Sequence, residues 1–118
     1  MSNNTMLESG EQLSLIQELD RRYPGILIET NPMAGAKLTK QQGAYAKRLG
    51  YQAGTLDLFL PEYRTYIELK RVKGGRLSPA QKERIPKLEQ SGYTVIVGYG
   101  AIDALNKFEK TLAVNTGN

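Results

Sequence analysis

Residues 56–70 read LDLFLPEYRTYIELK, and this stretch decides how the rest of the chain is arranged. Two apolar segments, 56–60 and 65–69, flank a turn that begins with proline. An antiparallel hairpin closed by this turn places Asp57 directly opposite Glu68, with their side chains roughly 5 Å apart. The hairpin therefore predicts that two carboxylates share one site.

The two faces of this hairpin differ in character because side chains alternate along a strand. Lys70 lies on the same face as Asp57 and Glu68. Leu56, Leu58, Leu60, Ile67 and Leu69 point to the opposite face. The apolar face is predicted to pack in the core, and the face with Asp57, Glu68 and Lys70 is predicted to form a functional site.

The paired carboxylates imply a cation or a proton, since two ionised carboxylates repel each other at this distance. Mg²⁺ prefers a few carboxylates together with water and phosphate oxygens, and it can activate water for attack on phosphorus. Lys70 beside such an ion could hold the water or neutralise the transition state. The residues also allow an alternative, in which Asp57 caps the strand end and Glu68 forms a surface ion pair with Lys70.

The composition narrows the possible chemistry. The 118 residues include no Cys and no His, which excludes disulfides, thiolate metal sites, His-ligated zinc and His general bases. The length predicts one domain over residues 1–118. The N-terminus lacks a basic region followed by an apolar stretch, and no run approaches membrane-spanning length, so we expect a soluble cytoplasmic protein.

Positive charge is concentrated around the hairpin. Residues 37–87 hold 12 of the 16 Lys and Arg residues but only 4 of the 12 acidic residues. Two of these four acids are Asp57 and Glu68. A polyanion such as nucleic acid fits this distribution, although a solvated basic face without a partner remains an alternative.

Local signals predict an α/β fold with the element order αβαββαβα. Thr39 and Gln42 form a capping box, and Ser78 followed by Pro79 is typical of a helix start. Besides the hairpin, the expected strands are 25–29 and 93–97, and the expected helices are 7–22, 40–49, 79–91 and 101–108. A hairpin followed by a crossover helix and another strand predicts a mixed sheet flanked by helices.

The terminal helices each have an apolar stripe. The first stripe consists of Leu15, Ile16 and Leu19, and the last is predicted to consist of Ile102, Leu105 and Phe108.

Three motifs, GTLD at 54–57, IELK at 67–70 and GGRLSPAQ at 74–81, resemble the virus-type replication-repair nuclease domain (VRR-NUC) of the PD-(D/E)XK nuclease superfamily. The resemblance covers nearly the whole chain and implies a restriction-endonuclease-like sheet. One position departs from the pattern, because the family usually has Pro before the aspartate and this chain has Leu56. Proline at a strand start serves geometry rather than chemistry, so we expect activity to be retained.

The resemblance implies a hydrolase, specifically an Mg²⁺- or Mn²⁺-dependent DNA endonuclease. Asp57 and Glu68 would bind the metal, the carbonyl of Leu69 would add a backbone ligand, and Lys70 would assist the attacking water.

The family also places a glutamate on the first helix near the metal, followed four residues later by Gln. Glu8 with Gln12 matches this pattern, and Glu11 is the reserve candidate. The alternative for either acid is an exposed residue favoured by the helix dipole.

Gln81 matches a family glutamine that approaches the scissile phosphate or the attacking water. It also occupies the capping-box position after Ser78, which is a structural alternative. Gln81 shares a helix face with Ile85 and Leu88 and is therefore predicted to point inward.

The resemblance further implies branched DNA, such as a four-way junction, as the substrate of a homodimer. The expected phosphate contacts are Lys40, Lys47, Arg48, Arg71, Lys73, Arg76 and Lys82. Tyr45 and Tyr51 could stack on unpaired bases or pack in the core. The alternatives are a non-catalytic DNA-binding module with the same fold and a nuclease acting on other DNA structures.

Overall fold

The computed structural model describes the backbone of residues 4–31 and 38–116, and the side chains of residues 10–31 and 38–114. The helices are α1 (Asn4–Arg22), α2 (Lys40–Arg48), α3 (Pro79–Gln90) and α4 (Ala101–Thr116), and the strands are β1 (Glu29–Thr30), β2 (Leu58–Leu60), β3 (Thr65–Lys70) and β4 (Thr94–Tyr99). The strands form one sheet in the order β1-β2-β3-β4. The pairings β1-β2 and β2-β3 are antiparallel, and β3-β4 is parallel. The predicted mixed sheet and element order are confirmed.

The central hairpin has the register that its turn predicts. Phe59 pairs with Tyr66, and Leu60 pairs with Thr65. The connection is a 3₁₀ helix at Pro61–Tyr63, followed by Arg64 in the left-handed conformation with φ of 48°. This tight connection keeps β2 and β3 aligned up to the residues that form the site.

The apolar face of the hairpin packs against α1 and α4. All five of its predicted core residues, Leu56, Leu58, Leu60, Ile67 and Leu69, are buried. Leu15 and Leu19 of α1 cover them from one side, and Phe108 of α4 is fully buried among them. The alternation read from the sequence therefore correctly separates the core face from the polar face.

The predicted strand 25–29 is wrong except at its last residue, Glu29. Two backbone N–H groups before Glu29 form hydrogen bonds outside the sheet. The N–H of Ile26 donates to the carbonyl of Tyr23 at 3.0 Å, and the N–H of Leu27 donates to the Glu62 carboxylate at 2.9 Å. Ile26 and Ile28 still pack against the core. Their apolar character reflects burial of an irregular segment rather than strand pairing.

The predicted apolar stripe of the last helix is wrong at Ile102, which is 77% exposed. Helix α4 instead buries Ala101, Ala104, Leu105 and Phe108, which lie at the spacing of one helix face. The helix also continues beyond the predicted end at residue 108. In the described part of the chain, no helix combines the length and the apolar character needed to cross a membrane.

Helix α4 also covers the outer edge of β4. The N–H of Tyr99 donates to Asp103 Oδ2 at 2.9 Å, and Lys107 Nζ donates to the carbonyl of Val97 at 2.7 Å. Asp103 and Lys107 form an ion pair at 2.9 Å. Two backbone groups that face away from β3 are thus satisfied by side chains of one helix.

Strand β4 approaches α4 most closely where Gly98 meets Ala104. A Cβ atom on Gly98 would overlap the Ala104 side chain and would lie 2.6 Å from its Cα atom. We expect Gly98→Ala to lower the free energy of unfolding by about 1–3 kcal/mol, because α4 must shift to admit the methyl group. At Gly43, inside α2, an added Cβ atom would meet no atom within 4 Å. We therefore expect Gly43→Ala to raise the free energy of unfolding by about 0.5–1 kcal/mol.

Urea unfolding of the two variants and the unchanged protein checks this pair. Equal effects of the two substitutions would contradict close packing between Gly98 and Ala104.

Candidate active site

Asp57 and Glu68 interlock at the point where the β2-β3 ladder opens. The N–H of Asp57 donates to Glu68 Oε1 at 3.1 Å, and the N–H of Leu69 donates to Asp57 Oδ2 at 2.8 Å. The ordered ladder ends one residue earlier, at Leu58 paired with Ile67. Each carboxylate therefore accepts a hydrogen bond from a backbone N–H in the region of the other strand. The prediction that Asp57 lies opposite Glu68 is confirmed.

Glu68 is a buried carboxylate with three partners. It is 3% exposed. Its Oε2 atom lies 3.0 Å from Lys70 Nζ and accepts a hydrogen bond from Gln81 Nε2 at 2.7 Å. The third partner is the backbone N–H of Asp57. The ion pair proposed as the structural alternative does form, but it is buried within the site rather than exposed.

Gln81 has both roles that the sequence allows. Its Oε1 atom accepts the N–H of Ser78 at 3.0 Å, and its own N–H donates to Ser78 Oγ at 3.1 Å, which completes the capping box. The amide nitrogen of the same side chain then faces Glu68. Gln81 is buried, as predicted from its helix face. The start of α3 is therefore tied directly to the carboxylate.

The segment leading to Asp57 packs directly against the start of α3. Gly54 has φ of +83°, and a Cβ atom there would lie 2.8 Å from the carbonyl of Ala80 and 3.0 Å from the nitrogen of Gln81. Only glycine satisfies both the conformation and the close approach. Asn31 holds the segment from the other side, since its backbone N–H donates to the carbonyl of Asp57 at 2.9 Å.

The pKa of Asp57 is raised from its ordinary value of 3.8 to about 6, chiefly by burial and next by the neighbouring Glu68 carboxylate. The N–H of Leu69 and the Lys70 ammonium act in the opposite direction. The pair thus carries more negative charge than its surroundings neutralise. A proton on Asp57 or a cation between the carboxylates would relieve the repulsion.

These groups lie at the floor of an open cleft of about 790 Å³. Its other walls are the loop at 50–55 and the inner side of α2, where Gly43 and Ala46 leave room. Lys47 also faces this space. The cleft gives an extended ligand access to both carboxylates and to Lys70.

No protein-family model and no curated protein matches the chain. Among solved structures, one described as "VRR_NUC domain protein" superposes with a TM-score of 0.74 and 25% sequence identity, over 93% of this chain and 89% of its own. The chain folds as a VRR-NUC domain. The resemblance predicted from the three short motifs is confirmed at the level of the whole fold.

Leu56, which stands where the family usually has Pro, lies in the core of this VRR-NUC domain. Leu56 is 2% exposed, so the residue before the catalytic candidate Asp57 contributes an apolar side chain to the buried face. Asp57 keeps its position opposite Glu68 without proline.

Of the two acids that were candidates for a place near the metal on the first helix, only Glu11 has a described side chain. Glu11 Oε2 accepts the N–H of Ala101 at 3.2 Å and lies beside Gly100, so Glu11 caps the start of α4. Glu8 lies in α1, but its side chain is outside the described residues. Gln12 is half-buried. Within the described residues, no group of three or more acidic side chains converges.

The predicted phosphate contacts lie in three parts of the chain and remain predictions. Lys40, Lys47 and Arg48 belong to α2, and only Lys47 lines the cleft. Arg71, Lys73 and Arg76 belong to the loop between β3 and α3, and Lys82 is exposed on α3. Tyr45 and Tyr51 are exposed, so core packing is wrong for both; Tyr51 lines the cleft.

Sequence reasoning did not single out Arg84 or Asn31. Arg84 Nη1 donates to Gln52 Oε1 at 2.6 Å, which joins α3 to the loop beside the cleft. Its position three residues after Gln81 on α3 is the signal that could have indicated an inward-facing side chain.

The raised pKa of Asp57 predicts how stability depends on pH without metal. Between about pH 4 and pH 6 the folded protein binds this proton more tightly than the unfolded chain does. The free energy of unfolding therefore falls as pH rises through this interval and stays lower above it. Asp57→Asn keeps an oxygen for Leu69 and removes the charge, so it should be more stable than the unchanged protein by about 2–3 kcal/mol at pH 7 but not at pH 4.

Urea unfolding in EDTA at a series of pH values measures this difference. Asp20→Asn, at an exposed position of α1, is the matched control and should show no such trend. A difference between Asp57→Asn and the unchanged protein that is constant from pH 4 to pH 7 would contradict the assignment.

Proposed function

We propose that this VRR-NUC domain is a metal-dependent endonuclease that hydrolyses DNA phosphodiesters. The observation that carries the proposal is the convergence of Asp57, Glu68 and Lys70 at the floor of an open cleft. The similarity to a VRR_NUC domain protein supports a nuclease fold with DNA as its partner.

The donor set fits a hard divalent cation, Mg²⁺ or Mn²⁺. Asp57 and Glu68 would hold it, because their carboxylates meet at the end of the hairpin and carboxylate oxygens are ligands that these cations prefer. The N–H and C=O of one strand residue face the same neighbour, and the N–H of Leu69 faces Asp57. The carbonyl of Leu69 is therefore a third candidate ligand. A cation bound there would stabilise charge on the phosphate oxygens and lower the pKa of water.

Lys70 and Gln81 have separate tasks in this proposal. The ammonium of Lys70, 3.0 Å from Glu68 Oε2, can donate hydrogen bonds to the attacking water or to the scissile phosphate. Gln81 holds Glu68 in one orientation through its amide nitrogen. In the reaction the water oxygen bonds to phosphorus while the bond to the leaving oxygen breaks.

Branched DNA is the substrate that we propose for this site. The basic segment 37–87 provides phosphate contacts around the cleft, and such contacts position DNA without reading its sequence. An enzyme that reads the shape of a junction needs no separate sequence-reading surface.

Cleavage of a labelled four-way junction, a flap and a linear duplex in Mg²⁺, Mn²⁺ or EDTA tests the proposal. We expect metal-dependent cutting of the junction in preference to the duplex. Asp57→Asn should reduce the rate by more than about a hundredfold, because it removes the negative charge of a proposed metal ligand. Lys70→Met should reduce it by about 10²–10⁴-fold, the usual range for a group that assists proton transfer.

Asp20→Asn serves as the control for Asp57→Asn, and binding of the junction in EDTA is measured for every variant. Junction binding without cutting in any metal would replace the nuclease with a non-catalytic DNA-binding module. Equal cutting of junction and duplex would remove the preference for branches but keep the nuclease.

We also propose that the active form is a homodimer, since paired symmetric cuts in a junction need two sites. Light scattering in the concentration range of the cleavage assay should give twice the mass of the chain. A monomeric mass under conditions in which both strands are cut symmetrically would contradict the dimer.

A further inference from the structure

A second hollow, of about 390 Å³, opens beside the catalytic cleft. The two spaces share Asn31, Thr55 and the loop at 50–52. None of the roles proposed for cation binding or water attack uses this second hollow. It nevertheless lies on the same face of the sheet as the two carboxylates.

Aromatic rings form the floor of the hollow. Phe59 and Tyr66 are stacked with their centroids 4.3 Å apart and their planes 27° from parallel. Each ring lies two residues along its strand from a site carboxylate, Phe59 from Asp57 and Tyr66 from Glu68, which corresponds to about 7 Å. Tyr51, which is 44% exposed, stands at the boundary with the catalytic cleft.

The walls of the hollow carry a hydrogen-bond donor and an acceptor. Arg84 lines it, and the Nε atom of this side chain is buried without a hydrogen-bond partner in the described part of the chain. A buried unpaired donor is costly and calls for a missing acceptor. The carboxylate of Glu29 lines the same hollow.

This combination suits a nucleobase better than a phosphate group. A base presents an aromatic face together with donors and acceptors at its edge, and such faces stack on aromatic side chains. A phosphate would be repelled by Glu29 and would gain nothing from the rings. Burial raises the pKa of Tyr66, with Tyr93 and Glu29 acting in the same direction and Arg84 opposing them, so both charged groups act at this floor.

We propose that the hollow formed by Tyr51, Phe59, Tyr66, Arg84 and Glu29 binds one unpaired nucleobase of the strand whose phosphate lies at Asp57 and Glu68. The inference rests on the proposed nuclease function and adds a specificity element to it. A base enters the hollow only after it leaves its stack, which costs least at a branch or in a single-stranded segment. The hollow therefore selects DNA in which a base beside the cut is already unpaired.

The test scans a four-way junction with single abasic sites, one at each position near the branch in turn, and measures binding in EDTA so that no strand is cut. For the unchanged protein, one position next to the cut should lose roughly tenfold in affinity, the effect of removing one stacked base. Arg84→Gln should reduce this position-specific loss to less than about twofold. Lys87→Gln removes an equal charge from an exposed position of α3 and should leave the loss unchanged.

A scan in which no position differs from the others, or a loss that persists in Arg84→Gln, would overturn the subsite. If circular dichroism shows that Arg84→Gln does not fold, Tyr51→Ala decides in its place, because Tyr51 is exposed; a persistent loss in that variant overturns the subsite. Position-specific loss without cutting in Mg²⁺ or Mn²⁺ supports the subsite and refutes the nuclease. Cutting without position-specific loss refutes the subsite alone, and no DNA binding refutes both.

Discussion

Asp57 and Glu68 each accept a backbone N–H from the region of the other strand, and the geometry of the site depends on this exchange. The two hydrogen bonds take the place of the next rung of the β2-β3 ladder, so the hairpin stays in register while its end opens into the cleft. The same carboxylates therefore hold the strands together and carry the candidate chemistry. Because they cannot separate without breaking backbone contacts, their repulsion remains built into the folded state.

The surrounding groups limit the energetic cost of this arrangement. Glu68 has Lys70 and Gln81 as further partners, which is the condition under which a buried charge is tolerated. Gln81 also closes the capping box of α3, and Gly54 packs against the same turn of that helix. The hairpin, the GTLD segment and the start of α3 are thus one connected unit.

Much of this unit could be predicted from local patterns. Side-chain alternation placed Glu68 on the polar face, and the Ser78–Gln81 spacing located the start of α3. Local sequence patterns predicted the structure less well where it depends on contacts between residues that are distant in sequence. Residues 25–28 have the apolar composition of a strand, but the N–H groups of Ile26 and Leu27 form hydrogen bonds outside the sheet.

Four features of the structure depend on tertiary contacts that no local spacing encodes. Glu11 caps α4, 90 residues away along the chain. Gly54 requires the nearby backbone of Ala80. Arg84 reaches Gln52, and the exposure of Ile102 follows from the position of Gly98 against Ala104.

The side chains that α4 places along the outer edge of β4 restrict how two copies of the chain can associate. Exposed strand edges are where sheets extend from one molecule into another, in ordered assemblies and in aggregates alike. At Val97 and Tyr99 a neighbouring strand would have to displace Lys107 and Asp103 before it could pair. Continuous intermolecular sheets are therefore disfavoured along this half of β4.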